Sequence, residues 1–331
     1  MSEVSVIIAT HDRWTLLSRA LRCALAQLDV AVEVIVVDDG STTPPPPDPV
    51  WTDPRVRMIR QATNQGYVAA RNAGAEASKG EWLAWLDDDD LWAPSKLARQ
   101  LAAARTDGAV LAYAAAAVVD ERLRPLETWP APPVDDLAKE LVRDVLIPAG
   151  GSNVIARRAA VIACGGFDNS FDHLADWDMW LRLARQGPAA RCEQPLLAYV
   201  LHDKNMHRNA AAALMEEFDR LVDKHAAWAA TMGVSFNRSW FSRYPTRLLV
   251  SRGRRREAFA MVARYCLRRP TPANVRLAIS ALAGDGFARR YRRFRGRDDL
   301  APSSPQWLAE IARATTDRFV AACEIGSENS P

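Results

Sequence analysis

The chain lacks most of what would mark a small secreted or membrane-spanning protein. Its five cysteines (Cys23, Cys164, Cys192, Cys266 and Cys323) are scattered and include no C-x-x-C pair. That pattern argues against a disulfide framework or a zinc site and fits a reducing compartment. No run approaches the roughly 18 uncharged apolar residues that a spanning helix needs. The opening stretch "MSEVSVIIATHDR" has neither the basic flank nor the long apolar core of a signal peptide. The expected location is therefore the cytoplasm. Internal repeats are also absent.

What is present suits one large domain or two modest ones, since 331 residues with 49% apolar content can bury a substantial core. The net charge of +3 hides an uneven distribution. Residues 238–297 hold seventeen arginines, no lysine and two carboxylates, Glu257 and Asp285, so this segment carries +15 and the remainder −12. The two portions are expected to face different partners.

The first part alternates strand and helix signals. "VSVIIAT" (4–10), "VEVIVVDDGS" (32–41), "VRMI" (56–59) and "EWLAWLD" (81–87) read as strands. Between them, "WTLLSRALRCALAQ" (14–27) has apolar residues at helical spacing, and "NQGYVAARNAGAEAS" (64–78) reads as a loop running into a helix. "PSKLARQLAAAR" (94–105) opens with proline at a first-turn position and is helical. This alternation predicts an α/β fold with a mixed, mostly parallel sheet covered on both faces. The middle is less regular, with strand-like "AVLAYAAAAVV" (109–119) and "GSNVIAR" (151–157) and a helix over "WDMWLRLARQ" (177–186). Helical signals dominate beyond about 208, including "REAFAMVARYCLRR", where Phe259, Val262 and Cys266 are expected on one face. The predicted division is residues 1–205 as the catalytic domain and 206–331 as a helical, arginine-rich region.

Two acidic clusters, Asp38-Asp39 and Asp87 to Asp90, fall at the ends of predicted strands. Open α/β sheets bind ligands beyond those ends. Four adjacent carboxylates repel one another, and a hard cation such as Mn²⁺ or Mg²⁺ would relieve that repulsion while bridging to a diphosphate. A further acidic pair, Asp176 and Asp178, precedes the amphipathic "MWLRLA" turn and supplies a candidate base.

The segments "SVIIATHDR", "VIVVDDGS", "NQGYVAARNAG", "GEWLAWLDDDDLWAPSKL", "GGFD" and "DWDMWLRLA" occur in the order and spacing of family 2 glycosyltransferases of the GT-A fold, and over roughly residues 4–205 the chain resembles that family. The resemblance implies metal-dependent transfer of a sugar from a nucleotide-diphosphate donor, with inversion at the anomeric carbon. It places Ala9, His11, Arg13, Asp39, Arg71, Asp87 and Asp88 around the donor nucleotide. It makes Asp89 the main metal ligand, with Asp87 beside it and His202 as a third candidate, and Asp176 the catalytic base. A UDP- or dTDP-sugar is the favoured donor, although Ala9 and His11 stand where the family more often has other residues. Ala175 likewise replaces a frequent glutamate. Asp90 is expected to cap the following helix and Asp178 to be an ordinary first-turn carboxylate. The "GGSNV" segment and Trp177 are candidates for lining a sugar pocket.

Other readings compete. A nucleotidyl transferase would normally carry a glycine-rich, lysine-containing phosphate loop, which "ATHDRWT" is not. A nucleotide-sugar binding protein without turnover is argued against by the retained Asp176. The arginine-rich "ARRYRRFRGR" (288–297), interleaved with Tyr291 and Phe294, would suit an anionic membrane surface at the inner face of the membrane, a solvated face or an oligomer contact. Nucleic acid is the disfavoured partner for it. The acceptor stays open among polysaccharide, lipid-linked glycan, secondary metabolite and peptide.

Overall fold

The computed structural model describes residues 2–133, 135–202, 211–251 and 253–268, with residues 275, 278 and 305–308. The expected domain boundary near 205 and the segment 288–297 lie outside the described residues.

Four strands form the parallel half of a nine-stranded sheet among the described residues: β1 (Val4–Thr10), β2 (Val32–Asp38), β3 (Val56–Arg60) and β4 (Trp82–Trp85), in the spatial order β3-β2-β1-β4. The β-branched and aromatic residues of β1, β2 and β4 are buried on both faces, as sheets covered by helices on each side require, while Val56 and Ile59 of the edge strand β3 are half-buried. The helices are α1 (Trp14–Leu25), α2 (Tyr67–Ala77) and α3 (Lys96–Thr106). In-register pairing sets Thr10 opposite Asp38, and the amide of Leu86 donates to Ile7 O at 3.0 Å. The chain segments after β1, β2 and β4 therefore leave the sheet along one edge.

Beyond β4 the sheet becomes mixed. It continues through β8 (Ile155–Arg157), β6 (Leu111–Asp120), β9 (Ala189–Leu201) and the short β5 (Leu91–Trp92), while β7 (Pro125–Trp129) pairs with β6. Strand β4 runs antiparallel to β8, and β6 runs parallel to β9. The helix α4 (Leu137–Arg143) and the short α5 (Arg158–Ala163) precede α6 (Ala175–Leu183). Among the described residues β9 is followed by α7 (Ala211–Thr231), α8 (Arg238–Phe241), α9 (Arg243–Ser251) and α10 (Arg255–Arg268).

Helix α7 does not stand apart from what precedes it. Leu214, Met215, Phe218 and Leu221 share one core cluster with Trp85, Trp177 and Trp180. Trp177 is a core residue and lines no sugar pocket: it is buried against Phe218, Phe236 and Phe241, and its indole N–H donates to Leu141 O at 2.6 Å. On α10, Ala258 and Val262 face the core, whereas Phe259 is exposed, contrary to the expected face. No helix among the described residues is long and apolar enough to cross a membrane.

Candidate active site

The loop leaving β1 is set by Asp12, whose left-handed backbone (φ 52°) is one that aspartate tolerates better than most residues. Its amide donates to Ser41 Oγ and its carboxylate accepts from the Thr42 amide, both at 2.9 Å, so this loop and the one after β2 are tied together. His11 follows from that tie, its Nδ1 lying 2.9 Å from Asp39 O. Ala9 is partly buried at the strand's end. The Asp39 carboxylate accepts from the amides of Gln65 (2.7 Å) and Gly66 (2.9 Å), which fixes its orientation at the mouth of α2.

The four aspartates after β4 have four different environments. Asp87 is partly exposed and pairs with Arg71, and its amide donates to Ser152 Oγ at 3.0 Å, which anchors the backbone. Asp88 is buried, accepting from Thr10 Oγ1 at 2.8 Å and facing Arg13 Nη1 at 3.1 Å. Burial pushes the Asp88 carboxyl up to about 7, with the Arg13 guanidinium opposing and the Asp89 charge assisting the rise. Asp89 pairs with Arg13 and with His202 Nε2 at 2.9 Å. Burial pushes its carboxyl up too, but the His202 hydrogen bond and the Arg13 charge outweigh it and hold the group below its ordinary value.

Asp90 does not cap the following helix; that position belongs to Ser95. It is instead buried against β9, accepting from the Val200 amide at 3.1 Å, and its Oδ2 is a buried oxygen with no hydrogen-bond partner. Burial, reinforced by the charges of Asp89 and Asp87, drives its carboxyl well above the usual range. The reason the helix-cap expectation fails is that β5 intervenes between the aspartates and α3.

Asp87, Asp89 and Asp90 each offer an oxygen within 4.8 Å of the others, a set that fits one hard cation. The unpartnered Asp90 oxygen is what such an ion would satisfy. Asp88 stands outside this set, held by Thr10 and Arg13.

Arg71 joins this cluster to the second acidic site. Only 3% exposed, it reaches Asp87 with one guanidinium nitrogen and Asp176 Oδ1 with the other at 2.6 Å. Tyr67 and Phe167 lie against its guanidinium at 4.7 and 5.5 Å from their ring centroids. Burial opposes its charge, yet Asp176 and Asp87 raise its pKa further above the ordinary value, so it stays a cation. Asp176 sits in the first turn of α6, and its Oδ2 accepts from the Gly151 amide at 2.9 Å. A Cβ at Gly151 would fall 2.6 to 2.9 Å from the Arg71 guanidinium, so a larger residue here would displace that side chain from its place. The "GGSNV" segment thus cradles Arg71 and Asp176 with its backbone.

Asp178 is a different kind of residue from the one expected. It is fully buried, salt-bridged to Arg182 at 2.6 Å and to Lys224 and His225 at 2.8 Å each. A first-turn position on α6 did not leave it solvated because α7 packs over it. Thr10, Ser152 and Glu217 are site or support residues that the motifs did not expose, and Asp90, though part of the acidic cluster, reads in the sequence as a helix cap. For Asp90 a signal did exist, since the apolar run resumes directly after it at Leu91-Trp92.

Aspartates at the ends of parallel strands thus face a carboxylate at a helix start through one buried arginine. Residues 5–162 match the family described as "Glycosyl transferase family 2". The succinoglycan biosynthesis protein ExoO of Rhizobium meliloti (strain 1021) is 41% identical over 111 residues, which is 33% of this chain and 32%, about a third, of that protein's length. An uncharacterized glycosyltransferase of Haemophilus influenzae is 26% identical over 258 residues, covering 75% of this chain and 86% of that one. Among solved structures, S. aureus TarS 1–349 in complex with UDP-GlcNAc superposes with a TM-score of 0.57 at 15% identity, over 85% of this chain and 79% of that one. The protein is a glycosyltransferase with the GT-A fold.

Proposed function

We propose that the enzyme moves a sugar from a UDP-sugar (dTDP-sugar as the second choice) to an acceptor hydroxyl by a single inverting displacement, with Asp176 as general base. The observation that carries this reading is the Arg71 bridge: one buried guanidinium ties Asp87, on the acidic strand-end cluster, to Asp176 on α6. The leaving diphosphate and the attacking hydroxyl are thereby assigned to two ends of one rigid link.

In the displacement, the hydroxyl oxygen forms a bond to the anomeric carbon while the bond from that carbon to the diphosphate oxygen breaks. The electron pair leaves with the diphosphate, and the hydroxyl proton passes to Asp176. Asp176 keeps free lone pairs for that proton, since each of its oxygens has one protein partner and a carboxylate offers about four acceptor sites. Arg71 and the Gly151 amide hold its orientation, which is where a positioned base gains its efficiency.

On the donor side, Asp39 would accept from the nucleobase, with Ala9 and His11 beside base and ribose, and Arg13 and Asp88 at the ribose and diphosphate. Asp87, Asp89 and Asp90 would hold Mn²⁺ or Mg²⁺, with His202 supporting Asp89. When bound, such an ion neutralises charge on a leaving diphosphate. ExoO is named for succinoglycan biosynthesis and TarS was solved with UDP-GlcNAc, which favours UDP as the carrier and a glycan hydroxyl as the acceptor. An acceptor carried on a lipid phosphate would suit a cytoplasmic enzyme peripheral to the inner face of the membrane.

The test is Asp176→Asn, assayed by UDP release from UDP-GlcNAc and UDP-glucose with Mn²⁺, alongside UDP binding by calorimetry. Turnover is expected to fall by about 10²- to 10⁴-fold with binding retained. Full turnover in Asp176→Asn would sink the mechanism.

A further inference from the structure

Helix α6 begins with no side-chain cap of its own: Leu174 occupies the cap position and cannot accept a hydrogen bond through its side chain. The amides that precede the helix are nonetheless satisfied, from another helix. Glu217 of α7 is buried, and its Oε1 accepts from the Asp172 amide at 3.1 Å. Its Oε2 accepts from the amides of His173 and Leu174, both at 2.8 Å. A buried carboxylate is costly unless hydrogen-bonded, and three N–H donors offset that cost. Its negative charge also lies at the positive end of the α6 dipole.

Glu217 is not isolated on α7. Arg220 donates to Ser170 O at 3.0 Å, and Lys224 reaches Asp168 at 2.6 Å. Lys224 and His225 both meet Asp178. The spacing 217, 220, 224, 225 places these side chains along one helical face, so α7 grips the segment 168–174 and the first turn of α6 together. From the other side, Asn72 of α2 donates to Phe167 O at 2.9 Å and accepts from the Phe167 amide at 2.8 Å, while the Tyr67 hydroxyl donates to Asp172 O. Asp176 follows this double-clamped segment by two residues.

We infer that Glu217 is a positioning residue: through the amides of 172–174 it fixes the start of α6 and thereby the register of Asp176 against Arg71 and Gly151. This rests on the reading of Asp176 as the base, but the geometric half of it can be measured without that reading. Because the Gly151 amide is held by Asp176, its hydrogen exchange reports where Asp176 sits.

The experiment compares wild type, Glu217→Ala, Glu217→Gln and Leu221→Val, a buried core change on the same helix that touches none of these amides. Gly151 exchange is followed by NMR, UDP release from UDP-GlcNAc and UDP-glucose by coupled assay, and Mn²⁺-dependent UDP affinity by calorimetry. In Glu217→Ala, Gly151 exchange should accelerate roughly tenfold or more. UDP release should drop by about 10- to 100-fold with UDP affinity within about twofold of wild type. Glu217→Gln, which keeps one carbonyl acceptor, should fall between. Leu221→Val should lower the Tm yet leave both Gly151 exchange and UDP release at wild-type levels. The inference is overturned if folded Glu217→Ala or Glu217→Gln keeps wild-type Gly151 protection, if Leu221→Val accelerates Gly151 exchange equally, or if UDP release falls only in proportion to UDP affinity. Turnover surviving in Asp176→Asn would remove the base assignment alone, leaving the Gly151 exchange result to decide whether Glu217 places Asp176.

Discussion

Two buried acidic groups in this molecule have opposite electrostatic balances. At the end of β4, four adjacent aspartates meet two guanidiniums, from Arg13 and Arg71, together with His202. Under α7, a single aspartate, Asp178, meets Arg182, Lys224 and His225. Two carboxyls of the first group shift in the opposite direction to Asp178, while Asp89 is held down by His202 and Arg13. Burial raises Asp88 to about 7 and drives Asp90 well above its usual range. Asp178 is equally buried, yet the His225 hydrogen bond and the Arg182 charge outweigh desolvation and hold its pKa down. The first group has negative charge in excess of its protein partners, which suits a site completed by a ligand. The second is complete within the protein and serves to fasten α6 to α7.

That contrast is most directly broken at the structural end. Asp178→Asn would leave buried cations without their carboxylate, a change that typically costs about 3–5 kcal/mol. Tm should fall by several degrees in a thermal melt, while Mn²⁺-dependent UDP affinity stays at wild type. A loss of nucleotide affinity without loss of stability would show that Asp178 belongs to the active site after all.

At the ligand end the expectation reverses. Asp89→Asn should weaken Mn²⁺-dependent UDP binding by about 10- to 100-fold, read by calorimetry with and without metal. The ligand-free protein should lose less stability than Asp178→Asn does, because the pairs lost to Arg13 and His202 are partly offset by relief of repulsion on Asp90. A pronounced drop in Tm together with unchanged affinity would exchange the roles of the two groups.

The smallest effect is on acid stability. The folded pKa of Asp178 is depressed, so its contribution to stability is fully present above the unfolded value of about 3.9 and is lost as pH falls through the lower folded value. The Tm difference between wild type and Asp178→Asn should therefore be constant from pH 7 to about 5 and shrink below about pH 4. A difference that instead grew on acidification would mean that Asp178 is protonated in the folded protein.

Much of the parallel half-sheet was legible in the chain because its signals are local. Runs such as "VSVIIAT" and "VEVIVV" are β-branched over their whole length, and β1 and β2 occupy Val4–Thr10 and Val32–Asp38. The acidic endings of β2 and β4 marked the ligand edge of the sheet for the same reason. The mixed half was less legible. Strand β9 (Ala189–Leu201) contains a proline and charged residues, and its pairing with β6 shifts register at Ala114 and Ala115, so no simple periodicity announces it. Arg71 reads in sequence as one arginine on an alanine-rich helix. Its burial depends on Asp87 and Asp176, the latter more than a hundred positions away.

By itself, then, the amino-acid sequence determined which residue types stand at the ends of which strands, because strand propensity and turn chemistry act over a few neighbours. Only the tertiary structure decided the partners of the buried charges. It set Asp90 against β9 instead of at a helix cap, converted Asp178 from a surface carboxylate into a buried staple, and brought Glu217 to amides 172–174. The reason is physical: a buried charge is tolerated only where opposite charges or hydrogen-bond donors from distant segments converge on it, and that convergence exists only once the chain has folded.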